Sequence, residues 1–587
     1  MAVIALAPAI SFDEMPIGDK WSNALIEARV DHAFQVPGRV TLTFSDPGYA
    51  LTSTNTLKLG TVISLRDVSG ENLSLITAEV TSIGVEQREG EHPELVVVGH
   101  DKSHRLGRAS KVRTFSEMTY PDIIAEIASS ASLVPEVDSS SLVLDWLMQA
   151  DTDLGLLTEL SRRMGFDWWV EGEILKCKKP SAGASVTLTL GEDLMSFSAK
   201  AAGHRPDSVT VDGWDRSAQE LVTSTASSAT EGVTASSDLA DLVSDPGSAF
   251  GQGKLLSAGL SPQSSSEADE LSQALFDRAS ASSVSAQGVC VGNGNLKLGA
   301  VAHIGSAGPL SGSYPVTRVE HIFRARTGFI TRFFSGDRRP TTLVDSLSGT
   351  RVATPATHRL GLSVAQVTNT NDPDKKGRVK VRYPGVESQY ETGWARIVGI
   401  GGGAGRGSVF IPEVNDEVLV GFEGGDPRQP VVLGGLFGDR ATMPTTAIED
   451  GVVQQRAITS RLGHVVNLLD GTEPSKQAIE LTLAGGTNSL HLGADKLSIA
   501  MDEGLPIEIT VGESSIKFGD DGSITITAPQ VTINAEQKFA VSSAQVNVNA
   551  DAQMNLQSDG TAALKGATVQ VQGEGPLQIQ GEPVAIN

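Results

Sequence analysis

Cysteine is nearly missing from this sequence: 587 residues contain two, Cys177 and Cys290. They are far apart and lack metal-ligand spacing, so neither a zinc site nor a disulfide framework is indicated, and structural burial is expected for both. Aromatic residues are scarce at 5%. Long Leu-rich helical stripes are scarce too, and with 62 glycines the balance favours many short strands and turns, a mainly β fold. Positive charge is in deficit. The 46 Lys plus Arg stand against 70 Asp plus Glu, and the formal net charge of -24 argues against a nucleic-acid groove or an anionic membrane surface. A solvated acidic surface is the plain reading. No run of about twenty apolar residues occurs, which excludes a transmembrane helix. Met1 to Ile10 is apolar but has no basic n-region, and Asp13 and Glu14 stand where a signal peptide would carry its cleavage site. Synthesis in the cytoplasm without a signal peptide is the expectation.

The length is too great for one core and suggests roughly three to five domains. Up to about residue 110 the chain reads as strands. Arg39-Val-Thr-Leu-Thr-Phe44, Thr61-Val-Ile-Ser-Leu65 and Glu94-Leu-Val-Val-Val98 are short, β-branched and bounded by Gly, Pro or Asp. Helical spacing follows in Asp122–Ala128, opened by Pro121, and in Asp153–Met164. Strands resume at Phe166–Val170 and Ser208–Trp214. Residues 217–266 shift to Ser, Ala, Thr and Gly, as suits a surface excursion or mobile linker. A helix, Glu267–Ala279, leads to a second strand-rich block marked by Gly299–Ile304 and Gly312–Ile322. A loop-like stretch up to Arg359 then precedes a compact unit, 360–440, dense in Gly and Pro turns and sized for a five-stranded OB barrel.

From about Gly522, apolar pairs at period two recur: Ile524 and Ile526, Val531 and Ile533, Val546 and Val548, Met554 and Leu556, Val569 and Val571, Leu577 and Ile579, Val584 and Ile586. So short a repeat cannot close its own core, because each turn offers only two or so inward side chains and leaves strand edges unpaired. Several chains wrapping together into a narrow β-prism is the expectation. An amyloid-prone disordered tail is the alternative.

The unit from Gly361-Leu-Ser-Val-Ala-Gln-Val to Arg378-Val-Lys-Val-Arg-Tyr-Pro384, then Gly393-Trp-Ala-Arg-Ile397, then Phe410-Ile-Pro-Glu-Val through Gly424-Gly-Asp-Pro427 to Phe437, closely resembles the OB-fold module of VgrG spike proteins. Within it Asp372–Gly377 reads as a turn between strands, Trp394 and Phe410 as barrel core, and Gly424–Pro427 as the turn joining the last two strands. Gln149–Leu160 with Gly165–Val170, and Gly312–Tyr314 through Arg318–His321, are similar to the hub of that family. Ser460–Asp470 and Gln477–Thr482 look like the start of its needle.

The resemblance implies a homotrimer with two barrel-like hub domains mimicking a sixfold inner tube, an OB collar and an intertwined triple-stranded β-helix. The implied domains are 1–110, first hub β-barrel; 111–215, helical and strand-containing hub subdomain; 216–266, the excursion or linker; 267–345, second hub β-barrel; 346–445, OB collar; and 446–587, needle. Such a spike would puncture the target cell envelope when a sheath contracts and deliver effectors, touching the membrane only transiently. The implied partners are inner-tube and baseplate proteins at the hub, possible effector cargo, and a PAAR-type tip protein at the C-terminal end. Leu577, Ile579, Val584 and Ile586 are the candidate tip-docking residues. The leading expectation is the spike of a phage-tail-like contractile injection particle released outside the cell, because the first hub strands depart from the usual type VI secretion sequence. A type VI secretion spike is the runner-up. An adhesive phage fibre and a cell-wall hydrolase hub are the rivals from other classes.

No catalytic, cofactor-binding or metal-binding residues can be named. Gly401-Gly-Gly-Ala-Gly-Arg-Gly407 lacks the Lys-Ser/Thr ending of a phosphate loop and lies inside a strand-rich unit, so a flexible OB loop is expected. His100 and His104 have the spacing of a helical metal pair, but no Glu follows His100 and the flanking glycines disfavour a helix. Pro444–Gly463 is too short to hold an inserted lysozyme, and the sequence stops within the repeat. The chain therefore reads as a non-enzyme.

Overall fold

A computed structural model describes residues 7–586 of the chain, apart from residues 70, 141, 216–217, 258–261, 339–360, 384–390, 427 and 445–447. The loop-like stretch expected up to Arg359, and Pro427, lie outside the described residues. The chain divides into two compact units, 1–443 and 444–587.

The first unit is built on an eleven-stranded antiparallel sheet. In spatial order its strands are Leu194–Ala201, Val284–Val291, Gly328–Ser335, Arg318–Arg324, Leu25–Ala33, Arg39–Ser45, Glu94–His100, Leu73–Glu86, Val62–Asp67, Ala9–Phe12 and Met15–Pro16. Alternation explains why each lies flat with one face covered: in Arg39–Ser45 the residues Val40, Leu42 and Phe44 are buried while the residues between them are not. Trp21 locks this face with edge-on contacts to Phe12 at 5.4 Å and Phe44 at 5.1 Å. The two strand-rich blocks of the sequence thus share one sheet, joined where Arg318–Arg324 pairs with Glu27–Ala33. Gly312–Ile322 forms two strands, Gly312–Pro315 in a separate four-stranded sheet and Arg318–Arg324 in the large one.

Helices sit where the spacing places them. Tyr120–Ser130 begins with a capping box, in which Thr119 and Asp122 satisfy each other's backbone N–H groups. Asp153–Met164 is capped by Thr152 and ends at Gly165, whose φ of 71° suits glycine. A Cβ at Gly165 would also come within 2.9 Å of Ala274 Cβ, so no larger residue fits there. The apolar faces of these helices, including Ile123, Ile127, Leu157 and Leu160, enclose Trp168 and Cys177.

The Ser- and Ala-rich segment expected as an excursion or linker forms structure of its own. Glu220–Ala226 and Lys254–Ser257 flank Ser208–Asp215 in a three-stranded sheet, and Leu271 and Phe276 of the helix Ser265–Ala281 pack on Val209, Val211 and Ala226. Small residues suffice because this layer needs only one apolar stripe.

The second unit holds a five-stranded antiparallel meander, 455–500, and a three-stranded one, 507–527. Beyond Thr527 no described residue belongs to a strand, and residues 529–586 are all exposed. Among the described residues no helix is long and apolar enough to cross a membrane.

Candidate functional site: the OB barrel, its ion network and the exposed repeat

Five strands make the barrel, in the order Lys380–Arg382, Ser363–Asn369, Glu417–Phe422, Pro430–Gly435 and Arg396–Ile397. Small and β-branched side chains fill it: Ala365, Val367, Val379, Val381, Ala395, Val418, Val420 and Val432, each at 1% exposure or less. Its first turn is organised by Asp372. That carboxylate accepts from the backbone N–H groups of Asp374, Lys376 and Arg378 and from the Arg378 guanidinium at 2.7 and 3.0 Å. The Arg378 hydrogen bond, more than any other contact, holds Asp372 well below the usual carboxylate range.

Two side chains expected in the barrel core are placed differently. Trp394 is half-buried, with Lys380 Nζ 5.4 Å from its ring centroid. Phe410 is a correction, since it is 63% exposed. It follows the glycine loop in a stretch outside any strand, so no ladder turns it inward, and the narrow interior is already filled. Its neighbour Val409 is 81% exposed, and Ile400 and Phe437 of the same unit are 82% and 68% exposed. The loop Gly401–Gly407 itself is an exposed turn with positive φ at Gly401, Gly405 and Gly407.

The turn after Phe422 carries an arrangement that residue patterns do not reveal. Arg428, buried, reaches Asp426 Oδ2 at 2.7 Å, the Tyr120 hydroxyl at 3.1 Å and Glu267 Oε1 at 2.9 Å. The last contact is an ion pair by distance, without hydrogen-bond alignment. Arg163 Nη1 stands 3.6 Å from the same Glu267 oxygen. Burial opposes ionisation of Asp426, but Arg428 outweighs it and lowers the carboxyl. Burial raises the Tyr120 phenol. Asp426 and Glu267 thus each have a guanidinium beside them, and Arg163 also pairs with Glu159 at 3.4 Å, so the interior charges are all partnered. The barrel turn is thereby keyed to three helices of the same unit.

His100 and His104 lie on different elements, a strand and the short 3-10 turn Lys102–Gly107. His100 Nδ1 is 2.8 Å from Thr81 Oγ1, and His104 Nε2 is 3.0 Å from Glu79 Oε2. Among the described residues, no three His, Cys, Asp or Glu are grouped to hold a metal. Both cysteines are buried and unpaired.

In the repeat, Gln545 donates to Asn547 at 3.2 Å, Gln553 to Asn555 at 2.9 Å and Gln570 to Gln572 at 3.3 Å. Contacts between residues i and i+2 put the polar side chains on one face of an extended chain. The apolar pairs, including Val546 with Val548 and Met554 with Leu556, fall on the other. The candidate tip residues Leu577, Ile579, Val584 and Ile586 are exposed by 59%, 64%, 48% and 85%.

Residues 363–437 match the family model of the type VI secretion system/phage-baseplate injector OB domain. Several curated relatives are named as spike proteins of type VI secretion systems. VgrG5 of Pseudomonas aeruginosa is 39% identical over 98 residues, 15% of this chain and 12% of that protein. VgrG2a of the same organism is 31% identical over 129 residues, 20% and 15% of the two. VgrG3 of Vibrio cholerae is 36% identical over 75 residues, 12% and 7%. The chain is VgrG-like. These matches span 7% to 15% of the relatives' own length.

The VgrG-like chain also matches the Alg8 N-terminal domain model over 49–324, a span that opens after the strand Arg39–Ser45 and so cuts through the large sheet instead of following a structural boundary. Among solved structures it overlays an E. coli type VI secretion component over 73% of this chain and 99% of that one, at 13% identity and a TM-score of 0.46. A 43 kDa prophage tail protein of Shewanella oneidensis gives 57%, 98%, 13% and 0.42.

Proposed function

We propose that the chain is one protomer of a homotrimeric spike in a contractile injection system. Residues up to about 345 form the hub that meets inner-tube and baseplate proteins, 346–445 the collar, and 446–587 a β-helical needle. The work is mechanical. Sheath contraction supplies force, and a stiff needle concentrates it on a small area of the target envelope while effectors are carried across. The protein is made in the cytoplasm, and Leu577, Ile579, Val584 and Ile586 of three chains present an apolar face to a PAAR-type tip protein.

The observation that carries this reading is the repeat. From 529 to 586 an extended chain has sorted its polar side chains from its apolar pairs, yet every residue is exposed and no described residue is in a strand. Unpaired backbone groups and apolar side chains at such length are costly in water unless other chains cover them. Copies of the same repeat supply matching edges, as closed symmetric oligomers require.

Light scattering on the full chain tests it. Three chains per particle are expected, with no loss of mass on dilution through micromolar concentration, and Val546→Asp combined with Val548→Asp should lower that mass. A folded, stable monomer at all concentrations would overturn the reading.

A further inference from the structure

Arginines gather on one face of the large sheet even though the chain carries a formal charge of -24. Register sets Arg332, Glu320, Asp31, Arg39 and His100 directly opposite one another in a row across five neighbouring strands. Glu320 faces Asp31 in that row, and like charges so placed repel unless cations intervene. Arg29 donates from Nε to Asp31 at 3.2 Å and its Nη2 lies 3.1 Å from Glu320. Arg318 Nη2 is 2.6 Å from Glu320 and 3.9 Å from Asp31. Arg39 reaches Asp31 at 2.9 Å, and Arg332 reaches Glu320 at 3.3 Å.

Four guanidiniums thus serve two carboxylates. They bring about twenty N–H donors to about eight acceptor positions, so the acids cannot satisfy them. The layering matters as much as the count. The side chains of Glu320 and Asp31 are 3% and 13% exposed, while those of Arg39, Arg318 and Arg332 are 49%, 46% and 41% exposed. The carboxylates lie beneath and the cations face outward. This face borders an open groove of about 790 Å3 whose lining includes Arg39, Arg318, Lys200, Gln287, Phe334 and Arg338. Its volume is that of a ligand site, about 300–1,000 Å3.

We propose that this groove docks an acidic polypeptide segment of a partner protein. Carboxylate side chains match the forked donors of Arg39 and Arg318, and the Phe334 ring, with the Arg318 guanidinium 5.0 Å over it, offers an apolar floor between charges. A nucleic acid fits less well. A long polyanion meets the repulsive field of the whole acidic chain, whereas a short acidic segment engages only charges within a screening length of about 8 Å.

The test is fluorescence anisotropy of fluorescein-labelled hexaglutamate with the full-length protein, beside labelled hexaglutamine and a labelled single-stranded DNA hexamer. Hexaglutamate is expected to bind, to weaken steeply as salt rises from about 50 to about 300 mM, and to lose about tenfold in affinity in Lys200→Glu. Lys200 is exposed and stands outside the ion-pair row, so this variant should keep its thermal midpoint; the salt titration of the parent needs no variant. Equal binding of hexaglutamine, absence of binding, a salt-independent affinity, or tighter binding of the DNA would each overturn the proposal. So would a Lys200→Glu protein that falls in oligomeric mass while the parent ignores the peptide, because the groove would then belong to a second copy.

Discussion

The hydroxyl of Tyr120 lies 3.1 Å from Nη1 of Arg428, so the first residue of a capped helix touches the closing turn of the OB barrel in the interior of the unit. Arg428 also holds Asp426 and Glu267, and nothing in its surroundings gives water easy access. Replacing it by Ala leaves two buried carboxylates without their shared cation. The expected cost is about 3–5 kcal/mol, read as a lowered thermal midpoint of the full chain. Arg428→Lys should recover only part of it, because an ammonium cannot span Asp426, Glu267 and Tyr120 together. An unchanged midpoint in Arg428→Ala would show that the turn is held by its backbone alone.

A second expectation concerns acid. His321 is buried, with Nδ1 3.0 Å from Thr331 Oγ1, and burial lowers its pKa to about 3. The unfolded chain takes up that proton near about 6.5, so the folded state loses ground as pH falls. The contribution of a neutral His321 is complete above about 6.5 and is lost progressively toward about 3. Thermal midpoints measured between pH 7 and pH 4.5 should fall more steeply in the parent than in His321→Gln. Parallel curves for the two proteins would rule the histidine out as a source of acid sensitivity.

The thiols offer a third check. Burial pushes Cys290 up to about 12 and raises Cys177 as well, and neither side chain is accessible. Thiolate is the reactive form, so both should be nearly inert to a disulfide reagent at pH 8 in the native protein and react promptly in denaturant. Rapid native labelling of either would contradict the packing around Trp168 or around Thr331.

Local rules carried much of the architecture. Asp153–Met164 was legible from its apolar spacing, and the strands at Arg39 and Glu94 from short β-branched runs bounded by turn residues, because both signals lie within one or two turns or pleats of the chain. The Asp372 turn was legible as well, since aspartate, proline and glycine favour tight turns by their own conformational preferences. The same reasoning misjudged Phe410. A large apolar residue does not announce whether the interior still has room, and Val and Ala had already filled this barrel.

The charged sites were written in the chain only in part. Arg29 with Asp31, and Arg318 with Glu320, show the two-residue spacing that puts each pair on one face of a strand. Nothing near either pair says that the other lies beside it. Likewise Asp426 and Arg428 are neighbours in one turn, but Tyr120, Arg163 and Glu267 come from helices far away along the chain.

Residue types and their spacing were enough to specify a mainly β chain, its three longer helices, a compact turn-rich unit sized for an OB barrel and a repeat that sorts apolar from polar faces, because those properties depend on backbone geometry over a few residues. Tertiary structure alone decided that two strand-rich blocks share one sheet, that five side chains from four elements meet at Arg428, and that four arginines crowd above two acids. Such meetings depend on strand pairing and helix docking across long loops, where the deciding free energy is burial and charge balance between segments that carry no local mark of each other.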